Sequence, residues 1–374
     1  MSDITFKITA ATHVGLVRTN NEDNFIVNPD LTKDVWEMES SPDYVFSLGE
    51  YGCLLVVADG MGGMNAGEVA SELAVTSVRR LYSEVSDYSS IIDSSSHIEA
   101  FMKKVIVTAD ADIKERVKTD PSTSGMGTTI VMAWVIGNMV HVAWCGDSRA
   151  YLFNRQSGLS RLTRDHSYVQ ELVDAGKLDP ELAFDHPNSN IITRSLGDSS
   201  VKAQPDYVCQ RLSAGDYVLL CSDGLCGLCR DEEILDILMQ DKPTLEEYEH
   251  DLFAAALDAD GHDNITIALF ECLAKKEKEV NSTLTPEAMS KTRKIKKDQK
   301  TEAGTEKKSA GGLLWVLIGF LLALALAGAA WYFKLIPLPA PQKISVDASV
   351  EQPAPQQEEE APAELVVTDE VACE

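Results

Sequence analysis

Four aspartates stand where apolar, β-branched runs begin or end. Leu54-Leu55-Val56-Val57-Ala58 leads into Asp59-Gly60, and Val140 to Cys145 leads into Gly146-Asp147-Ser148. Val218-Leu219-Leu220-Cys221 leads into Ser222-Asp223-Gly224, and Asp263-Asn264 opens the run Ile265 to Glu271. One strand-end aspartate is an ordinary turn former. Four, three of them beside a glycine that lets backbone carbonyls approach, point to a shared site of oxygen ligands. A carboxylate charge is costly to bury unless it is paired or bound to metal. Oxygen ligands suit hard cations such as Mg²⁺ and Mn²⁺. Zinc is disfavoured, because no His/Cys cluster has suitable spacing.

The segment Arg18-Thr19-Asn20-Asn21-Glu22-Asp23 resembles the first motif of metal-dependent protein phosphatases of the 2C type. The later motifs follow in order: Ala58-Asp59-Gly60-Met61-Gly62-Gly63, Gly127-Thr128-Thr129, Gly146-Asp147-Ser148-Arg149 and Thr163-Arg164-Asp165-His166. Arg194-Ser195-Leu196-Gly197-Asp198, Leu220-Cys221-Ser222-Asp223-Gly224 and Asp263-Asn264-Ile265-Thr266 complete the set. Each motif alone is weak, but their order and spacing over residues 7–272 make a specific signal.

The resemblance implies a bacterial-like member that hydrolyses phosphoserine and phosphothreonine in proteins, opposing a Ser/Thr protein kinase. Its cofactors would be Mn²⁺ or Mg²⁺, two ions with a weaker third, and the attacking water would bridge two of them. Asp59 would bridge the metals, with the Gly60 carbonyl on one. Asp223 and Asp263 would complete the first metal position, and Glu22 or Asp23 would serve the second. Asp147 with Asp223 would form the third. Arg18 would hold the substrate phosphate; its planar fork suits phosphate oxygens and keeps its charge. The plainer alternative for Arg18 is a surface ion pair with Glu22, four residues on. Thr128, Ser148 and Asn264 would support the ligands without touching phosphate.

Two positions depart from the family pattern. Met61 and Met64 stand where other members carry histidines, one of them proposed to protonate the leaving oxygen. His166 and His186 are the remaining candidates for that proton. The stretch 164–195 resembles the variable flap beside the active site, a natural place for substrate contact.

These residues need elements to position them. Apolar runs predict strands at 52–58, 128–136, 139–145, 149–153, 217–221 and 265–271, with Gly137-Asn138 as a hairpin turn. Helical periodicity fits 66–82, 98–117, 168–175, 232–239 and 245–257, with Thr244 and Glu247 as a capping box. Hairpin-linked strands predict antiparallel sheets. With the resemblance, the expected class is α+β: a four-layer α-β-β-α sandwich of two antiparallel sheets flanked by helices, plus one C-terminal transmembrane helix.

The 374 residues carry 33 basic and 59 acidic side chains, a net charge of −26. Residues 1–274 hold 20 basic and 44 acidic groups, so this part would repel a nucleic-acid backbone. Seven of the 8 cysteines precede residue 275, several in apolar runs, the pattern of buried reduced thiols. Cys226-Gly227-Leu228-Cys229 lacks the context of a metal or redox pair. Gly311 to Phe333 contains no charge and is long enough to cross a bilayer, which takes about 20 apolar residues. Trp315, Trp331 and Tyr332 suit the interfaces, and the lysines from Lys291 to Lys308 predict a cytoplasmic N-terminal side. The chain thus divides into a catalytic domain over 1–274, a basic flexible linker over 275–310, a membrane span over 311–333 and an acidic Pro/Glu-rich tail over 334–374 outside the cell membrane.

Other phosphate chemistries lack their signatures: no GxxxxGK[ST] loop, no kinase HRD/DFG pair and no Cys followed six residues later by Arg. The competing readings are a catalytically inactive phosphatase-like binding module at the membrane, which would require a replaced metal carboxylate, and a membrane scaffold acting through its tail.

Overall fold

The computed structural model describes residues 4–36, 44–62 and 66–273, which lie within one compact unit. One sheet contains β1 (Thr5–His13), β3 (Phe46–Ser47), β8 (Arg149–Asn154), β9 (Gly158–Arg161), β11 (Asp216–Cys221) and β12 (Ile265–Leu273), in the order β3-β1-β12-β11-β8-β9. The other contains β2 (Asp23–Asn28), β4 (Cys53–Met61), β6 (Ile130–Ile136), β7 (Met139–Cys145) and β10 (Asp206–Arg211), in the order β10-β7-β6-β4-β2. The two-residue β5 (Gly127–Thr128) adds to the end of β4. Every pairing is antiparallel.

The central strands read as unbroken apolar runs because both of their faces are buried. In β4, Cys53, Leu55 and Val57 face the space between the sheets with Val131, Val142, Val218 and Phe270. Leu54, Val56 and Ala58, on the opposite face, pack with Met102 and Ile106 of α2 (Ser95–Thr119) and Ala70 and Val78 of α1 (Gly67–Ser83). In β11 the alternation repeats: Val218 and Leu220 point inward, while Tyr217 and Leu219 meet Ile234 of α5 (Asp231–Leu238) and Leu252 of α6 (Leu245–Asp258). Three apolar layers hold four structural layers together. Each fully buried Leu, Val or Phe contributes about 1.5–3 kcal/mol.

The expected α+β sandwich of two antiparallel sheets is therefore the fold, and each predicted strand and helix has its counterpart. The turn at Gly137 uses the left-handed backbone that glycine adopts freely, φ +57°. Thr244 caps α6 by accepting the Glu247 N–H at 3.3 Å. Strands β1, β2, β3, β9 and β10, and the single-turn helix α4 (Asp223–Cys226), went unpredicted. The segments assigned to linker, membrane span and tail lie outside the described residues, as does Met64. Among the described residues no helix is long and apolar enough to cross a membrane.

Antiparallel pairing brings the starts of β2 and β12 to the same end of the sandwich as the ends of β4, β7 and β11. Asp23, opening β2, lies directly across from Asp59 on β4.

Candidate active site

Each aspartate singled out in the sequence reaches this end, held by a different local device. Asp59 is fixed through its backbone. Its N–H donates to Thr129 Oγ1 at 3.1 Å, and its carbonyl accepts from the Thr129 N–H and the Thr128 hydroxyl, both at 2.8 Å. Thr129 Oγ1 in turn lies 2.7 Å from Ser148 Oγ in the buried interior. Gly60 follows at a place without room for a side chain: a Cβ would come within 2.2 Å of the Gly67 carbonyl and 2.4 Å of the Glu22 carbonyl.

Asp23 is buried, and its Oδ2 accepts hydroxyls from Ser222 and Thr266, both at 2.7 Å. Glu22 beside it points to the start of α1, its carboxylate against Gly67. The two neighbours therefore face different surroundings. Asp223 opens α4, directly after β11. Asp147 is 7% exposed, and its Oδ1 is buried without a hydrogen-bond partner.

Asp263 accepts Arg18 Nη2 at 2.9 Å, so Arg18 pairs across the site and not with Glu22 as the plainer alternative had it. Asn264, 4% exposed, staples the loop before β2 to the start of β12. Its Oδ1 accepts the Glu22 N–H at 2.7 Å, and its Nδ2 donates to the carbonyls of Val14 and Asn20, both at 2.9 Å.

Like charges crowd here. Burial first, then Asp223, Asp23 and Asp147, push the Asp59 carboxyl far above the usual carboxylate range. Asp147 is driven up by burial and then by Asp223, and Asp223 by burial and then by Asp263. Burial also raises Asp23, against the pull of its two hydroxyl donors. Such groups are stable as anions only beside positive charge. Arg18 pairs with the neighbouring Asp263, and the orphaned Asp147 Oδ1 needs a partner. An all-oxygen donor set with surplus negative charge fits hard divalent cations and does not fit zinc. Among the described residues, no three His, Cys, Asp or Glu side chains already form a closed ligand set.

A groove of about 740 Å³ runs from Asp147, Asp223 and Asp263 between the flap and the α4–α5 corner. Val169, Val173 and Phe184 of the flap line it together with Leu228 and Arg230. Arg230 pairs with Asp185 of the flap and stacks 4.3 Å over the Phe184 ring. At the root of the flap, Arg149 of β8 grips Asp165 through Nε and Nη2, at 3.0 and 2.7 Å.

Neither histidine named for proton donation is well placed to give one up. His166 is 5% exposed, with Nδ1 accepting the Gly146 N–H, and His186 Nδ1 accepts the Asn188 N–H. His262, overlooked in the sequence, lines the groove beside Asp263 and lies 3.3 Å from Asp260. Its place one residue before Asp263 was the available signal. Met61 packs over Gly127. The CxxC cysteines are buried free thiols, like Cys53, Cys145, Cys221 and Cys272.

This geometry has close counterparts. Residues 11–265 match the model of the family described as protein phosphatase 2C. The chain is 37% identical over 263 residues to protein phosphatase PhpP of Streptococcus pneumoniae, an overlap of 70% of this chain and 96% of that one. The serine/threonine phosphatase of S. agalactiae superimposes with a TM-score of 0.60 at 34% identity, covering 71% of this chain and 99% of the other. The catalytic domain of the phosphatase PstP, in a complex with two manganese ions, does so with a TM-score of 0.57 at 31% identity, covering 72% and 100%. The chain belongs to the protein phosphatase 2C family and is a serine/threonine phosphatase.

Proposed function

We propose that this phosphatase acts on phosphoserine and phosphothreonine in proteins at the membrane surface, using Mn²⁺ or Mg²⁺ held by Asp59, the Gly60 carbonyl, Asp223 and Asp263. Glu22 or Asp23 serves the second cation, and Asp147 with Asp223 a weaker third. The observation that carries this reading is the buried crowd of carboxylates, in which the Asp147 Oδ1 has no partner. When bound, the cations supply Lewis acidity, bringing the pKa of water towards neutrality and offsetting charge on the phosphoryl oxygens.

The chain's own residues do the rest. Arg18 is half-exposed, which leaves donors of its fork open to phosphate while Asp263 orients it. Thr128 and Thr129 fix the Asp59 backbone, and Asn264 fixes the loop that carries Arg18 and Glu22. The groove beside the flap is roomy enough for the polypeptide around the phosphorylated residue.

The uncharged stretch Gly311 to Phe333 would tether residues 1–274 to the cytoplasmic face through the basic linker 275–310, leaving the tail 334–374 outside. Substrates are then membrane-proximal phosphoproteins, including a Ser/Thr protein kinase or its targets. Resistance of the full-length chain to alkaline extraction from membranes would support the tether, and release into the soluble fraction would rule it out.

The activity is tested by phosphate release from a phosphothreonine peptide by the full-length chain, with Mn²⁺ and then with a chelator. Metal-dependent turnover that collapses in Asp223→Asn is expected. A folded chain that binds the peptide yet releases no phosphate with either metal would make it an inactive binding module.

A further inference from the structure

His166 joins three parts of the molecule that no motif connects. Its backbone N–H donates to the Gly146 carbonyl at 3.0 Å, while its Nδ1 accepts the Gly146 N–H at 3.1 Å. Both polar groups of Gly146 are thus held by one residue. Its carbonyl accepts the Thr193 N–H at 2.8 Å, and the adjacent Ser167 bridges Ile192, so the two roots of the flap meet here. On its far side Nε2 lies 3.1 Å from Asp206 Oδ2, and the ring stacks on Trp144 at 6.0 Å.

A ring nitrogen facing a backbone N–H must present a lone pair, so the proton sits on Nε2 and is donated to Asp206. Arg194 Nη1 lies 3.5 Å from the same Asp206 oxygen and 3.4 Å from Nε2. Burial favours the neutral ring as well.

Gly146 is where this matters. Its φ of +129° is outside the comfortable range of other residues, and a Cβ there would meet Thr129 Cβ at 2.5 Å. The next residue is Asp147, with its orphaned Oδ1. A bond at this joint decides where that carboxylate points.

We propose that His166 is a positioning residue for Asp147: it fixes the Cys145–Gly146 peptide through Nδ1 and the Gly146–Asp147 peptide through its backbone N–H, and ties this joint to the root of the flap through Thr193 and to β10 through Asp206. This role rests on Asp147 serving the third cation. Residues that hold a ligand in this way typically change metal affinity or activity about 10–100-fold when removed.

The test uses the full-length chain with His166→Leu, which loses both ring bonds, and His166→Asn, whose side-chain oxygen can still accept the Gly146 N–H. Two quantities are measured: the Mn²⁺ concentration for half-maximal turnover, and hydrogen exchange at the Gly146 amide without metal. The expected result is a midpoint raised about tenfold or more in His166→Leu, with fast exchange at Gly146, and both values restored most of the way in His166→Asn. Asp206→Asn should fall between them.

Two results would overturn the role: an unchanged Mn²⁺ midpoint with only kcat reduced, or failure of His166→Asn to rescue either quantity. Should the wild-type chain prove inactive, the metal reading fails on its own. The exchange measurement still decides whether His166 holds Gly146, and unprotected Gly146 in the wild type would refute it.

Discussion

The two walls of the groove are built on opposite plans. The inner wall consists of strand ends whose carboxylates are set by buried hydroxyl and amide bonds: Thr128 and Thr129 on Asp59, Ser222 and Thr266 on Asp23, and Asn264 on the loop before β2. The outer wall is the flap, a connection with the short α3 (Tyr168–Asp174), rooted in the mostly buried Asp165 and the buried His166 but held beyond these roots largely by exposed ion pairs such as Arg164–Asp174 and Arg230–Asp185. Buried, satisfied polar networks fix geometry and are costly to disturb, whereas exposed pairs contribute about 0–1 kcal/mol. The chemistry sits on the wall that cannot drift. The wall that would face the substrate polypeptide can change at little cost to folding.

The contrast predicts a graded set of effects. The largest belongs to Asp59→Asn, which removes the carboxylate on which Asp223, Asp23 and Asp147 all act. Turnover of a phosphothreonine peptide should fall by about three orders of magnitude or more while circular dichroism stays unchanged.

Arg18→Ala comes next, lowering kcat/KM by about 10–100-fold through loss of a charge-assisted fork to phosphate. Arg18→Lys should recover only part of this.

Asn264→Ala strands the Glu22 N–H and the carbonyls of Val14 and Asn20, and should cost about 2–4 kcal/mol in denaturant unfolding. A loss below about 0.5 kcal/mol there would erase the distinction between the walls. On the outer wall, Arg230→Ala should change stability by less than about 1 kcal/mol and KM for a peptide by at most about threefold.

A final, small effect lies outside both walls. Burial pushes the Glu249 carboxyl on α6 up to about 7, although it accepts the Thr9 hydroxyl. The folded chain therefore keeps a proton there that the unfolded chain, near 4.5, gives up. Stability from this group is present below about pH 4.5 and declines as pH rises towards 7. Glu249→Gln should flatten that decline in thermal unfolding followed across this range.

Much of this arrangement was legible in the residues. The runs 54–58 and 218–221 are apolar at every position because both faces of β4 and β11 are buried, and that pattern is easily recognised. β1 was missed because Phe6 and Ile8 alternate with Thr5, Lys7 and Thr9 near a sheet edge, and β10 because it carries Asp206, Gln210 and Arg211. Asp59, Asp147, Asp223 and Asp263 announced themselves by their place at strand ends. Asn264 was legible only as a supporting residue, since its three bonds go to backbone atoms more than 240 positions away. His166 stood out only as a candidate proton donor, because its bonds to Gly146 and Asp206 are made by the fold alone.

The most direct test of the central claim is calorimetric titration of the full-length chain with Mn²⁺, wild type against Asp59→Asn. If the strand-end carboxylates share their cations, the wild type binds at least two and Asp59→Asn loses them together. Undiminished Mn²⁺ binding by Asp59→Asn, or none by a wild-type chain that still turns over, would contradict the account.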